Sequence, residues 1–174
     1  MATPDSNSDT ITIQLTQGYV AVIDVIDEDL ANYKWHAQRN KKHNPNIAYA
    51  QRNIPVSTRK QRIVKMHRII VERKLGRQLE KGEVVDHIDG NPLNNRRANL
   101  RVCSPSKNAI SKRRYEKNKS GYKGVYQRET GKYRAQIQIE HKKITLGQFD
   151  TPQEAYEAYC EAARRYHGEF ARFD

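Results

Sequence analysis

Asp86-His87-Ile88-Asp89-Gly90-Asn91, with Asn99 and then Asn108 further along, brings an acid, an imidazole and carboxamides into one short unit. Those types suit one hard cation beside a base that activates water. Carboxylate and amide oxygens bind magnesium-like ions, and an imidazole with an unperturbed pKa of about 6.5 accepts a proton near neutrality. Hydrolysis of a phosphodiester asks for these parts: an activated nucleophile, neutralised phosphoryl charge and a stabilised leaving alkoxide. Neighbours on a strand point to opposite faces, so Asp86 and His87 cannot serve the same task unless the strand twists. Singly, each residue has an ordinary reading, the Asp-His pair as a surface hydrogen bond and the asparagines as turn formers. Their joint spacing in a strand, loop, strand, helix context is what points to hydrolysis.

The elements that must position them follow from local pattern. Glu83–His87 reads as a strand, Asp89-Gly90-Asn91-Pro92 as turn chemistry and Leu100–Cys103 as a returning strand. Ser104-Pro105 is an N-cap with proline at the first helical position, which carries Asn108 into the first turns of a helix. Upstream, Ile11, Ile13 and Leu15, a Gln17-Gly18 break, then Val20, Val22 and Asp24 predict a hairpin. Asp27–Tyr33 has an acidic start suited to a short helix, and Trp35 is a core anchor. Strands around 35–39 and 47–52 flank the loop 40–46, whose lysines are solvated or touch phosphates. Ile63, Val64 and Met66 lead into a helix holding Ile69, Ile70, Val71 and Leu75 that stops at Gly76.

Composition sets the partners. The chain has 174 residues, 32 Lys plus Arg against 20 Asp plus Glu, and a formal net charge of +12. That balance favours a polyanion, although charge alone does not separate a nuclease from an RNA binder. Cys103 and Cys160 form no C-x-x-C pair, so no structural zinc is expected and both thiols should be reduced. No apolar run approaches the roughly 20 residues that span a bilayer, and the start lacks the regions of a signal peptide, so a soluble cytoplasmic protein without membrane contact is expected.

Residues 83–110, with Val84-Val85-Asp86-His87-Ile88-Asp89-Gly90-Asn91-Pro92-Leu93-Asn94-Asn95 and the run to Asn108-Ala109, resemble the HNH homing endonucleases of the ββα-metal superfamily, known from phage and bacteria. The resemblance implies that His87 is the general base, that Asn99 is the bracing middle asparagine and that Asp86 and Asn108 share one divalent ion. Many members have histidine at the last site; asparagine there offers oxygen, which suits Mg2+, with Mn2+ as the alternative. Arg96, Arg97 and Arg101 are phosphate-clamp candidates, and Asp89 is a turn residue. His67 occupies the place of the family's upstream histidine-arginine pair, where a structural role is favoured. His36, His43, His141 and His167 lack metal-ligand spacing.

From residue 120 the pattern changes. Gly121-Tyr122-Lys123-Gly124-Val125-Tyr126, Gly131-Lys132-Tyr133-Arg134-Ala135-Gln136-Ile137, Leu146-Gly147-Gln148-Phe149-Asp150-Thr151 and the stretch from Ala155-Tyr156 to Ala171 resemble an AP2 DNA-binding domain. Such a domain implies a three-stranded antiparallel sheet laid into the major groove and backed by one helix. Alternation sends Ala135, Ile137 and Ile139 towards the helix and Arg134, Gln136, Gln138 and Glu140 away from it. Arginine pairs with guanine and glutamine with adenine, and Lys123, Arg128, Lys143 and Thr145 occupy matching positions in the neighbouring strands. Tyr126, Thr130 and Thr145 depart from plant members, so their target sequence does not carry over. Thr151-Pro152-Gln153-Glu154 supplies a cap for a helix with Ala155, Ala158, Tyr159, Ala162 and Ala163 on one face.

The expected class is α+β: a flexible start (1–10), a ββα-metal nuclease part with a β-rich beginning (11–115, active unit 83–110), a basic linker (116–119) and an AP2-like domain (120–174). The expected function is site-specific, metal-dependent cleavage of double-stranded DNA, of the homing type, leaving a 5′ phosphate and a 3′ hydroxyl. The alternatives are a DNA-binding regulator that retains a non-catalytic relic, or a restriction or repair nickase. Monomer and homodimer are equally compatible with the sequence; a monomer would nick.

Overall fold

The computed structural model describes residues 3–4, 9–40, 44–58, 60–111, 118–140 and 142–173. Most of the N-terminal start, the basic run Lys112, Arg113, Arg114 and Lys117, part of the linker 116–119, and His43 and His141 therefore lie outside the described residues. Cα packing divides the chain into Met1–Cys103 and Ser104–Asp174.

In the first unit, β1 (Thr3–Pro4), β2 (Thr10–Gln14) and β3 (Val20–Asp24) form an antiparallel sheet in that order. The hairpin is where the alternation put it, but its phase differs on β3. The alternation was read on Val20, Val22 and Asp24, whereas Ala21 and Ile23 are the buried residues and Val22 is only half-buried. The register explains the shift: Ile23 faces Ile11 and Ala21 faces Ile13 across the pair, so one face holds all four. The expected short helix is present as a 3-10 helix, Val25–Asn32, kinked at Asp27. Trp35 is buried and its Nε1 donates to Leu30 O at 2.7 Å, the partner a buried indole requires.

A second sheet joins β4 (His36–Asn40), β5 (Asn44–Ser57) and β6 (Lys60–Lys65). Ala37, Ala48 and Ala50 line its inner face, small enough for close packing on the core with Ile13, Trp35 and Met66. Helix α1 (Met66–Leu75) buries Met66, His67, Ile70 and Val71 and ends at Gly76, whose φ of 66° is the left-handed cap a glycine permits. The hairpin of β7 (Val84–His87) and β8 (Leu100–Cys103) completes this unit, with Leu100 in the same core.

The second unit starts with α2 (Pro105–Ile110), capped by Ser104, whose Oγ accepts from Lys107 N. It continues with the sheet of β9 (Val125–Gln127), β10 (Tyr133–Ile139) and β11 (Lys142–Phe149), β10 in the middle. Helix α3 (Pro152–His167) carries the expected capping box: Thr151 Oγ1 accepts from Glu154 N at 3.2 Å and Glu154 Oε2 accepts from Thr151 N at 3.1 Å. Ala135, Ile137 and Val125 are buried against Ala155, Tyr159 and Ala163. Glu140, read as part of the outward strand face, instead sits in the β10–β11 turn with φ 46°, because the hairpin must reverse there. A β-carbon on Gly124 would overlap the Tyr159 ring, and its φ is 75°. No helix among the described residues is long and apolar enough to cross a membrane.

One buried carboxylate ties the first unit together. Asp27 is 0% exposed and receives Arg97 Nε at 2.8 Å, Arg97 Nη2 at 3.0 Å and Arg73 Nη1 at 3.2 Å. Asp27→Ala should lower unfolding free energy by about 2–3 kcal/mol, somewhat under the cost of breaking a fully buried pair because both guanidinium groups retain some solvent; a urea melt of the variant measures this. Gly124→Ala should destabilise the second unit through both the overlap and the strained φ, read as loss of Val125 and Ala135 amide protection in hydrogen exchange.

Candidate active site

Strand β7 ends at His87, and the loop to β8 is folded back on itself by side chains. Asn99 Nδ2 donates to Asn94 O at 2.8 Å and to Asp89 Oδ1 at 2.9 Å, while its Oδ1 accepts from Asp89 N at 3.0 Å. Asp89 also accepts from Asn91 N at 2.8 Å and Asn94 Nδ2 at 2.7 Å. Burial opposes ionisation of Asp89, but these hydrogen bonds outweigh it and hold its pKa below the usual carboxylate value. Asp89 is thus the hub of the loop as well as its turn residue. The far side of the loop is anchored to β3: Val22 N donates to Leu93 O at 2.8 Å and Asn95 N to Val22 O at 2.7 Å. Lys74 at the end of α1 donates to Arg97 O at 2.9 Å and Leu100 O at 3.3 Å.

His87 is buried and oriented by a residue the sequence reading passed over. Asn95 is nearly fully buried; its Nδ2 donates to Leu93 O at 3.1 Å, which turns its Oδ1 towards His87 Nε2 at 3.4 Å. An amide oxygen only accepts, so this contact is a hydrogen bond in the tautomer with the proton on Nε2, in which Nδ1 keeps its lone pair. The signal was present as the doublet Asn94-Asn95, but turn chemistry explained it equally well. His67 stands edge-on to His87 at 5.1 Å and 90°, and Tyr49 contacts both rings at 5.6 and 6.2 Å. Burial lowers the His87 pKa, so the ring is held in its neutral, proton-accepting form.

Asp86 is also buried and meets Arg101, whose Nε and Nη2 lie 2.8 and 2.7 Å from Oδ2. Arg101, a phosphate-clamp candidate from sequence, is engaged with this carboxylate. Arg96 Nε donates to Asp24 at 3.0 Å, and Arg97 is held by Asp27 and, through its backbone, by Asp24 at 2.6 Å. The two guanidinium groups read as DNA contacts therefore have carboxylate partners within the unit. Asn108 lies half-buried on α2 in the second unit, its backbone N donating to Ser104 O at 3.0 Å.

In the second unit, Arg134, Gln136 and Gln138 lie on β10 across from Gln148, Thr145 and Lys143 of β11, and Arg134 faces Tyr126 of β9. With Ala135 and Ile137 buried on the helix side, these residues share the outer face. Arg134 lies 6.0 Å from the Tyr126 ring centroid, and Lys143 and Thr145 are exposed. Arg128 is exposed beyond β9, whereas Lys123 Nζ is bonded to Ile110 O at 2.8 Å.

The histidine pair makes stability pH-dependent. Burial, with the His87, Lys65 and Arg68 charges adding, lowers His67 to about 3, against about 6.5 in an unfolded chain. Between those values the unfolded state binds more protons, so this stabilisation is complete above pH 6.5 and is lost as pH falls. The unfolding free energy from urea melts should therefore decline below pH 6.5, by about 1.4 kcal/mol per pH unit from His67, and His67→Phe should flatten that decline.

Two family models match the chain, the first of them running across the Cys103–Ser104 boundary between the units. Residues 64–110 match the HNH endonuclease family and residues 120–169 match the AP2 domain. Protein 3.8 of Escherichia phage T7 is 35% identical over 96 residues, covering 55% of this chain and 78% of that protein. An HNH endonuclease of Acanthamoeba polyphaga mimivirus is 30% identical over 108 residues, 62% of this chain and 56% of that one. An ethylene-responsive transcription factor of Arabidopsis thaliana is 34% identical over 93 residues, 51% of this chain and 57% of that one. With its Asp-His-Asn loop inside the first matched segment and its three-stranded sheet inside the second, the chain contains an HNH endonuclease domain over residues 64–110 and an AP2 domain over residues 120–169.

Proposed function

We propose that this protein is a site-specific DNA endonuclease of the homing type that uses His87 as general base. The observation that carries the reading is the contact of Asn95 Oδ1 with His87 Nε2: with the ring proton on Nε2, Asn95 accepts its hydrogen bond, and Nδ1 of the buried imidazole is left to accept a proton from water. The water oxygen bonds to phosphorus, one of its protons passes to His87, and the P–O3′ bond breaks, the departing 3′ oxygen taking a proton from solvent water, so that a 5′ phosphate and a 3′ hydroxyl remain. Asn99 serves as a positioning residue, since it closes the Asp89 loop that follows His87.

Asp86 and Asn108 would hold one divalent ion, taken as Mg2+ with Mn2+ as the alternative. A single carboxylate with an amide oxygen fits a hard cation that keeps several waters. When bound, the ion supplies Lewis-acid neutralisation of the phosphoryl and leaving oxygens. Arg101 keeps the Asp86 carboxylate aimed, and a carboxylate has lone pairs for both partners.

Recognition is assigned to the AP2 sheet, with Arg134, Gln136 and Gln138 reading base edges and Arg128, Lys143 and Thr145 flanking them; Lys123 and the paired Arg96 and Arg97 make lesser contributions to DNA contact. Monomer and homodimer are both compatible with this scheme.

With Mg2+, the intact protein should convert supercoiled plasmid carrying its site to open circles, and His87→Ala should lower that rate by at least about 100-fold with binding unchanged; equal turnover in the variant removes the base assignment. The acidic limb of the rate profile should lie below pH 6.5, because His87 is shifted down from that value. Absence of cleavage with binding retained would favour a DNA-binding regulator. Removing residues 120–174 should relax site choice more than it slows cleavage, measured by sequencing nick positions in a plasmid pool.

A further inference from the structure

Between Asp29 and Glu72 the chain contains no acidic residue, yet it carries Lys34, Arg39, Arg52, Lys60, Arg62 and Lys65 among others. This stretch builds the β4–β5–β6 sheet, and almost all of it precedes residues 64–110, where the HNH match lies. Strand β4 pairs with β5 only as far as Gln51, whereas β5 and β6 continue together from Gln51–Lys65 to Ser57–Lys60. Beyond Gln51 the sheet is therefore a two-stranded ribbon of about 20 Å at roughly 3.3 Å per residue.

Most of the ribbon is exposed, although Arg52 lies over the Tyr33 ring at 3.7 Å and Ile54 and Val64 are half-buried. Asn53, Lys60, Gln61, Arg62 and Lys65 are exposed, and so are two large apolar side chains, Val56 at 65% and Ile63 at 60%. Protection of the ribbon's edges against strand pairing would explain charges of either sign; it does not explain the absence of every carboxylate or the two bare apolar groups. A duplex groove accounts for all three features. The major groove admits a two-stranded ribbon, phosphates select cations, amides pair with adenine, and apolar side chains meet thymine methyl groups.

The ribbon also leads away from the active site. The register places Asn53, Gln61, Ile63 and Lys65 on the face that carries Tyr49. Tyr49 contacts His87 at 6.2 Å, and Lys65 Nζ lies 5.3 Å from the Tyr49 ring.

We propose that the β5–β6 ribbon is a second DNA-contact surface, lying in the groove beside the cleaved phosphodiester, with Lys65, Arg62 and Lys60 on phosphates and Asn53, Gln61 and Ile63 against base edges. This rests on the nuclease reading for its location, but not for its charge chemistry. It makes target selection bipartite, one part read next to the cut and the other by the AP2 sheet.

The test is the salt dependence of duplex binding by the full chain, measured by fluorescence anisotropy without divalent metal. Each phosphate contact contributes about 0.9 to the slope of log affinity against log salt, so Lys60→Gln/Arg62→Gln/Lys65→Gln should reduce the slope by about 2.7, and Arg62→Gln alone by about 0.9. Thermal melts should not move, since the altered side chains are exposed. An unchanged slope in both variants overturns the proposal. The two readings separate cleanly: a reduced slope in a protein that never nicks DNA retains the ribbon and removes the nuclease, whereas normal nicking with an unchanged slope removes only the ribbon. Footprinting should show lost protection around the nick with AP2-side protection retained; loss confined to the AP2 side also overturns the proposal.

Discussion

The first unit depends on a carboxylate with no access to water. Asp27 is placed by the kinked 3-10 turns after β3, and its two oxygens bind Arg73 from α1 and Arg97 from the loop before β8. Charge burial is costly unless it is both paired and hydrogen-bonded. Arg97 binds both oxygens and Arg73 adds a third contact, with Asp29 taking the rest of the Arg73 guanidinium at 2.7 Å. The Asp29 pKa is lowered chiefly by that hydrogen bond, although Asp29 is exposed and the pair is correspondingly weak. What Asp27 contributes is uniqueness of arrangement: three segments distant in sequence are held by one group that tolerates no other partner.

That constraint passes directly to the chemistry. Arg97 sits two residues before Asn99, and Asn99 closes the loop onto Asp89 just after His87. On the other side of the imidazole, Asn95 is fixed by β3 through the backbone of Val22. His87, the proposed base, is therefore oriented from the sheet, the helix and the loop together, while burial beside His67 and Tyr49 favours its neutral form. A general base needs a stable position and a free lone pair more than it needs any single strong contact. Here each is supplied by a different element.

The second unit solves a simpler problem with the same logic. Its helix contributes alanines and Tyr159 to the core, so sheet and helix approach closely and the opposite sheet face is left to polar side chains. Arg134 over Tyr126 and the row Gln136, Gln138, Lys143 and Thr145 make that face chemically rich without disturbing the core. The outer face can therefore vary in its polar side chains without repacking the helix side of the sheet.

Much of this was legible in the residues. The Asp-His loop, the Ser104-Pro105 and Thr151-Pro152 caps, the Gly76 stop and the alternation of Ala135 and Ile137 are local signals, set by backbone sterics, capping and strand period over a few positions. The phase of β3 was not legible, since Val22 and Ala21 are both acceptable in a core and only pairing with Ile11 and Ile13 decides between them. Nor were the partners of Asp27 and Arg97, which are 70 residues apart, or the choice of Asn95 over its neighbours to hold His87. A charge or an amide in sequence advertises its capacity for hydrogen bonds but not their direction. By itself the sequence determined which groups would be available for hydrolysis and DNA contact. The tertiary structure alone decided which cations are spent on internal carboxylates and which remain at the surface, because burial and long-range pairing exist only once distant segments have met.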